Sequence, residues 1–170
     1  AGAQKNLGPA GVTIVVARRE LLAKSPKNIP TMLRYAIHLD KNSLYNTPPA
    51  FCIYMVGKTV AWIKAQGGLA AMAERNAKKA ALLYDTIDNS EGFYRGHAAK
   101  DSRSFMNVTF RLPTEELEKK FVDEAKKEEL YGVKGHRSVG GMRASIYNAM
   151  PYEGVQNLAD FMKRFRIDNA

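Results

Sequence analysis

A single cysteine, Cys52, excludes any disulfide within the chain and suits a reducing compartment. Set in an apolar stretch, it reads as a small core residue rather than a nucleophile. No apolar run approaches the ~20 residues that a bilayer crossing needs. No signal peptide is visible either, and no internal repeat or low-complexity tract occurs. A soluble, cytoplasmic protein without a metal site is expected. Nor does a methionine open the chain, so residues 1–11 read as the middle of a longer protein.

Acids are the scarcer charge: 17 Asp and Glu stand against 26 Lys and Arg, a formal net charge of +9. Such a balance invites a nucleic-acid partner. The bases, however, run the whole length and sit beside acids, as in Glu115-Glu116-Leu117-Glu118-Lys119-Lys120. That alternation marks a solvated helix face. No helix-turn-helix, zinc-finger or RNA-binding pattern is present, and a surface that attracts small anionic substrates explains the charge equally well. No nucleic-acid or membrane partner is expected.

A hydrophobic fraction of 45% over 170 residues fits one globular domain, or a small domain with part of another. Val12-Thr13-Ile14-Val15-Val16-Ala17 is short, apolar and rich in β-branched residues, and predicts a buried strand. Thr47-Pro48-Pro49 predicts a helix start with Thr47 as cap. The helix continues through Phe51, Tyr54, Val60 and Trp62 to Gly67-Gly68, apolar on most faces, as suits a helix packed between larger bodies. Beyond it, helical spacing predicts helices at 69–87, from Pro113-Thr114-Glu115-Glu116 onward, and at 153–166. Strands are predicted at 105–112 and 142–148. The expected class is α/β, with residues 1–67 as one part and 68–170 as a small α+β domain.

Two clusters carry chemistry. Lys5 stands among Gly and Pro at the mouth of the predicted strand. It reads either as a surface-loop lysine or as a lysine held off the surface to react with a carbonyl group. The second cluster, Lys134-Gly135-His136-Arg137-Ser138-Val139-Gly140-Gly141-Met142-Arg143, places two arginines and a histidine among three glycines. Arginine offers a planar fork that matches carboxylate or phosphate oxygens, and glycine lets backbone and ligand approach closely. Anion binding is the expectation.

Three blocks in order, Gln4-Lys5-Asn6-Leu7-Gly8-Pro9-Ala10-Gly11, Tyr45-Asn46-Thr47-Pro48-Pro49 and Lys134 through Pro151, resemble the phosphoserine aminotransferase family. Ile87-Asp88-Asn89-Ser90 and Phe93-Tyr94 resemble it too. The resemblance spans essentially the whole chain. It implies a fold-type I, class V pyridoxal-phosphate enzyme, of which this chain is the C-terminal half: the small domain plus a remnant of the large one. The implied reaction moves the amino group of L-glutamate to 3-phosphohydroxypyruvate in serine biosynthesis, and in some bacteria in pyridoxine biosynthesis. The resemblance also implies that Lys5 anchors the cofactor covalently and shuttles the proton, and that Gln4 contacts the cofactor phosphate. By the same resemblance, Asn46 and Thr47 are expected to reach the phosphate of a neighbouring subunit in a homodimer with shared sites. Arg143 is expected to hold the substrate carboxylate, and His136 with Arg137, again across the subunit boundary, to meet its phosphate or side-chain carboxylate. The family's glycine loop, ring-stacking aromatic and carboxylate partner of the pyridine nitrogen are missing, so the isolated chain is expected to be inactive. A basic anion- or nucleic-acid-binding module and a non-catalytic interaction domain are the alternatives.

Overall fold

In the computed structural model, which describes residues 1–170, the elements fall into two units, Ala1–Ala65 and Gln66–Ala170. The first unit contains a 3-10 turn at Ala3–Lys5, helix α1 (Arg19–Ala23), a second 3-10 turn at Thr31–Leu33, and helices α2 (Tyr35–Asp40) and α3 (Ala50–Ala65). Its fully buried residues are Ala3 and Ile63.

The strand expected at 12–17 does not form. A bridge between Gly2 and Thr13 is the one rung there, with the Ala3 N–H donating to the Val12 carbonyl at 3.1 Å and the Ile14 N–H to that of Ala1 at 2.9 Å. Val16 is 93% exposed. The preference of β-branched residues for strands is a preference for a pleated, half-covered surface, and residues 14–17 have no neighbouring strand to supply one.

Helix α3 also starts later than expected. Its first residue is Ala50, and the Ile53 N–H donates to the Pro49 carbonyl at 3.0 Å, so Pro49 rather than Thr47 precedes the helix. Phe51, Tyr54, Val60 and Trp62 are exposed, against the expectation of a helix packed on most faces. Cys52 is half-buried and its Sγ–H donates to the Ala10 carbonyl at 3.3 Å. No helix of the protein is long and apolar enough to cross a membrane.

The second unit closes a core of its own. Helix α4 (Gly68–Asp88) follows Gly67, whose φ of 95° is a left-handed conformation that suits glycine at the join. Met72, Ala80, Leu83 and Ile87 recur at helical spacing on its buried face, whereas Leu69, expected there, is 82% exposed. The chain then turns through Glu91 and Gly92, both with positive φ, into strand β1 (Arg95–Gly96), which was not foreseen. Strands β2 (Asn107–Arg111) and β3 (Met142–Ser145) complete an antiparallel sheet of order β1-β2-β3, with Thr109 opposite Arg143.

Helix α5 (Glu115–Lys127) lies between β2 and β3 in sequence and is capped by Thr114, whose Oγ1 accepts from the Leu117 N–H at 3.2 Å. Helix α6 (Tyr152–Asn169) buries Val155, Leu158, Met162 and Phe165, the four residues its periodicity selects. Phe121 sits at the aromatic centre, with ring centroids of Phe161 at 4.9 Å, Phe165 at 5.1 Å and Phe110 at 5.8 Å. The architecture is mixed, with helices on a small sheet. Several of the alternating charges form ion pairs on exposed helix faces, such as Lys78 with Glu74 at 2.7 Å and Lys163 with Asp160 at 3.3 Å.

Candidate active site

Four of the candidate residues lie in the first unit. Gln4 and Lys5 end the 3-10 turn that follows the Gly2–Thr13 bridge. The turn is tied down by Ala3, whose buried carbonyl accepts from the N–H groups of both Leu7 and Gly8 at 2.9 Å. Lys5 itself is exposed and makes no ion pair, so of its two readings this chain shows the surface-loop one. Asn46 and Thr47 are exposed as well, on the stretch leading into α3, where the Asn46 side-chain amide donates to the Thr47 carbonyl at 3.2 Å. The chain thus presents two short polar segments, each with free side-chain donors.

The other three lie in the second unit, His136 and Arg137 on the hairpin-like loop that enters β3 and Arg143 on β3 itself. The neck of the loop is closed by the Gly135 N–H donating to the Gly141 carbonyl at 2.7 Å and by a bridge between Lys134 and Met142. A Cβ on Gly135 would fall on the carbonyl oxygens of Gly140 and Gly141, and one on Gly141, whose φ is 67°, would reach the Phe110 carbonyl at 2.9 Å. Glycine is therefore required at both positions by close approach. At the tip, the His136 Nδ1 lies 2.7 Å from the Ser138 Oγ and accepts from the Ser138 N–H at 3.3 Å. The Arg111 guanidinium donates to the Val139 carbonyl at 2.8 Å and pairs with Glu118 at 2.9 Å, bracing the loop against α5.

Arg137 and Arg143 open onto different cavities. Arg137 lines a cavity of about 540 Å³ beside α5, together with Lys119, Lys134 and Gly140. Arg143 lines another of about 530 Å³, walled by Tyr131, Ser145, Ile146, Met150 and Gly154. The backbone N–H of Arg143 donates to the Val133 carbonyl at 2.8 Å, but its side-chain Nε is buried with no acceptor in the protein. A buried guanidinium N–H without a partner is costly. A carboxylate ligand would satisfy it.

Sequence reasoning missed a second buried cation. Lys79, on α4, is fully buried, and its ammonium donates to the carbonyls of Ile146 at 3.1 Å, Tyr147 at 2.7 Å and Met150 at 3.0 Å. Burial, with a smaller contribution from the Arg75 charge, holds its pKa below the usual lysine range. One turn earlier on the same face, the buried Asn76 side chain donates to the Asn148 Oδ1 at 2.7 Å. The signal was available, since positions 76 and 79 fall on the apolar stripe of Met72, Ala80 and Leu83.

The profile of the family described as aminotransferase class-V matches residues 1–158. The chain belongs to the class-V aminotransferases. It is similar to a phosphoserine aminotransferase of Herpetosiphon aurantiacus, 64% identical over 165 residues, which are 97% of this chain and 46% of that protein. Among solved structures, it resembles the phosphoserine aminotransferase from Bacillus circulans subsp. alkalophilus with a TM-score of 0.95 and 58% identity, over 99% of this chain and 47% of the other. The pyridoxal-phosphate-bound phosphoserine aminotransferase of Trichomonas vaginalis superimposes with a TM-score of 0.89 at 39% identity, over 95% and 46%. The chain spans about half the length of the curated relatives it matches.

Proposed function

We propose that this chain is the C-terminal half of a phosphoserine aminotransferase, a pyridoxal-phosphate enzyme exchanging the amino group between L-glutamate and 3-phosphohydroxypyruvate in serine biosynthesis. The observation that carries the reading is the 64% identity to a phosphoserine aminotransferase across nearly the whole chain. Residues 1–67 are then the remnant of the cofactor-binding domain and 68–170 the small domain. A cytoplasmic homodimer with shared sites, and a further role in pyridoxine biosynthesis, belong to the same reading.

The donor set fits the cofactor. Lys5 is an accessible primary amine free of any ion pair, the kind of group that condenses with an aldehyde. Gln4, and Asn46 with Thr47 toward the neighbouring subunit's cofactor, are exposed amide and hydroxyl donors suited to a phosphate. When bound, the cofactor supplies the electron-withdrawing ring that makes the substrate Cα–H acidic. The chain's own residues then orient the substrate and move the proton. The Arg143 guanidinium, with its unpartnered Nε, holds the α-carboxylate. Arg137 and His136, on the braced loop, meet the substrate's phosphate or side-chain carboxylate. Fixing both anionic ends restricts how the substrate can turn, and Lys5 is the amine of this chain that accepts the Cα proton and returns it.

The test is borohydride reduction of the full-length protein with pyridoxal phosphate, followed by peptide mapping. The label is expected on Lys5 alone, and a label elsewhere overturns the assignment. In parallel, glutamate-dependent turnover of 3-phosphohydroxypyruvate is expected from the full-length enzyme and not from the 170-residue chain. A steep, salt-dependent affinity for RNA or DNA without turnover would support a basic binding module instead.

A further inference from the structure

We propose that Lys79 is a positioning residue, which locks the turn between β3 and α6 and thereby sets the cavity wall against which Arg143 receives a carboxylate. The inference rests on the reading of Arg143 given above. An ammonium in a protein interior without a carboxylate is expensive, and an apolar residue of similar volume is commonly as stabilising. Its presence at a fully buried position of α4 therefore needs a reason other than core packing.

The hydrogen bonds supply one. All three acceptors of the Lys79 ammonium lie within the five residues 146–150. Two of them, the carbonyls of Ile146 and Met150, belong to residues that wall the cavity holding Arg143. Asn76 grips the same turn through Asn148. Two side chains one helical turn apart thus hold four groups of a single turn. The turn begins three residues after Arg143 and carries no regular backbone ladder of its own beyond the Met150 N–H donating to the Tyr147 carbonyl at 2.9 Å. The far strand continues the frame, since the Ser145 hydroxyl donates to the Asn107 Oδ1 at 3.2 Å and the Ile146 N–H to the Met106 carbonyl at 2.9 Å. A rigid point cation with three donors suits this task, because it aims several carbonyls at one centre.

The experiment uses the full-length holoenzyme carrying Lys79→Met, with Asn76→Ala as a milder second variant and Arg143→Gln for reference. Leu83→Ala, fully buried on the same helix but away from the turn, serves as the control for destabilisation alone. Steady-state kinetics are measured well below each variant's melting temperature, with hydrogen exchange of the peptide covering 142–151 as a second readout. Lys79→Met is expected to raise KM for glutamate about 10-fold, within the 100-fold that a misplacement of about 1 Å can cost. Exchange in that peptide should accelerate, with a smaller change for Asn76→Ala. Leu83→Ala should leave both unchanged. Should Lys79→Met fail to fold, the same two measurements on Asn76→Ala decide. If Arg143→Gln raises KM while the Lys79 and Asn76 variants behave like Leu83→Ala, the inference is wrong and the reading of Arg143 stands. If Arg143→Gln leaves KM unchanged, that reading falls and the inference falls with it.

Discussion

Replacing Asp88 by Asn should cost stability that depends on pH in a stated direction. The Asp88 carboxylate closes a bidentate pair with Arg103, Nη1 to Oδ2 at 2.8 Å and Nη2 to Oδ1 at 2.6 Å. The Arg103 side chain is only 15% exposed and its guanidinium carbon stands 4.5 Å above the Tyr84 ring, whereas Asp88 is 30% exposed. A solvent-exposed pair contributes about 0–1 kcal/mol, while unit charges ~4 Å apart at an effective dielectric of ~20 attract by about 4 kcal/mol. The half-covered geometry lies between, so the loss should be about 2 kcal/mol, since the new amide turns a donor toward Arg103. For a chain of this size that is a fall of roughly 4–8 °C in melting temperature. The Arg103 hydrogen bonds, helped by the charges of Arg103 and Lys100, hold the Asp88 pKa below its ordinary value. A depressed folded-state pKa means that the contribution is fully present above the unfolded value, near ~4, and is lost as pH falls through the folded one. The melting-temperature gap between parent and variant should therefore be flat from about pH 5 to 8 and close in stronger acid. Thermal melts from neutral pH down into acid below the unfolded carboxylate pKa would refute the reasoning by showing no gap at neutral pH, or a gap that survives undiminished in acid.

Three further outcomes follow from the core and the loop. Tyr94 is buried and its hydroxyl donates to the Met162 carbonyl at 2.8 Å, and burial raises its pKa well above the ordinary value. In an alkaline ultraviolet titration it should ionise only as the fold is lost, because a raised folded-state pKa stabilises below the unfolded value of ~10 and fails above it; Tyr94→Phe should remove that late step and cost about 1 kcal/mol. Phe121→Ala, at the fully buried aromatic centre, should cost roughly 3–5 kcal/mol in denaturant unfolding, whereas an effect no larger than that of the exposed Phe105→Ala would contradict the packing described. Gly135→Ala should splay the loop neck at a cost of roughly 1–3 kcal/mol and, on the proposed function, raise KM for the phosphorylated substrate of the full-length enzyme, while Gly57→Ala, which meets no neighbour on α3, should instead stabilise by about 0.5–1 kcal/mol.

Much of the second unit was legible because its signals are local. Thr114 caps α5 as its sequence suggests, and the stripes of α4 and α6 fall on the core at helical spacing. What failed there was fine: β1 is only two residues long, and the strand expected at 142–148 stops at Ser145, past which the Ile146 N–H still reaches the Met106 carbonyl while the carbonyls of Ile146 and Tyr147 turn to Lys79. The larger error was at 12–17, where an apolar β-branched run implied a buried strand. Strand formation is a statement about a partner, and no propensity at Val15 or Val16 supplies one. Of the two readings that the sequence left open for Lys5, this chain shows the exposed one, with no strand beside it to cover the side chain. The close approach at Gly135 and Gly141 was legible as a glycine-bearing loop; at Lys79 the helical stripe marked the burial, but not its partners, since these are carbonyls nearly 70 residues away.

The contrast between the two units has a physical origin that bears on the proposed function. In Gln66–Ala170 the sheet and the helices α4, α5 and α6 share one cluster, so each element's apolar face is covered by another element of the same unit. In Ala1–Ala65 the apolar residues Val16, Leu21, Leu33, Phe51 and Tyr54 are each more than half exposed, and only Ala3 and Ile63 are fully buried. Leaving that much apolar surface in water forgoes about 25 cal/mol for every Å². Lys5, Gln4, Asn46 and Thr47 all lie in this unit, which supplies chemically suitable groups but little covered core. His136, Arg137 and Arg143 lie in the unit that does. On the proposed reading, substrate anchoring is therefore built into a self-sufficient scaffold. On the same reading, cofactor attachment falls to the unit whose apolar residues are mostly left in water, with Lys5 presented as an exposed amine.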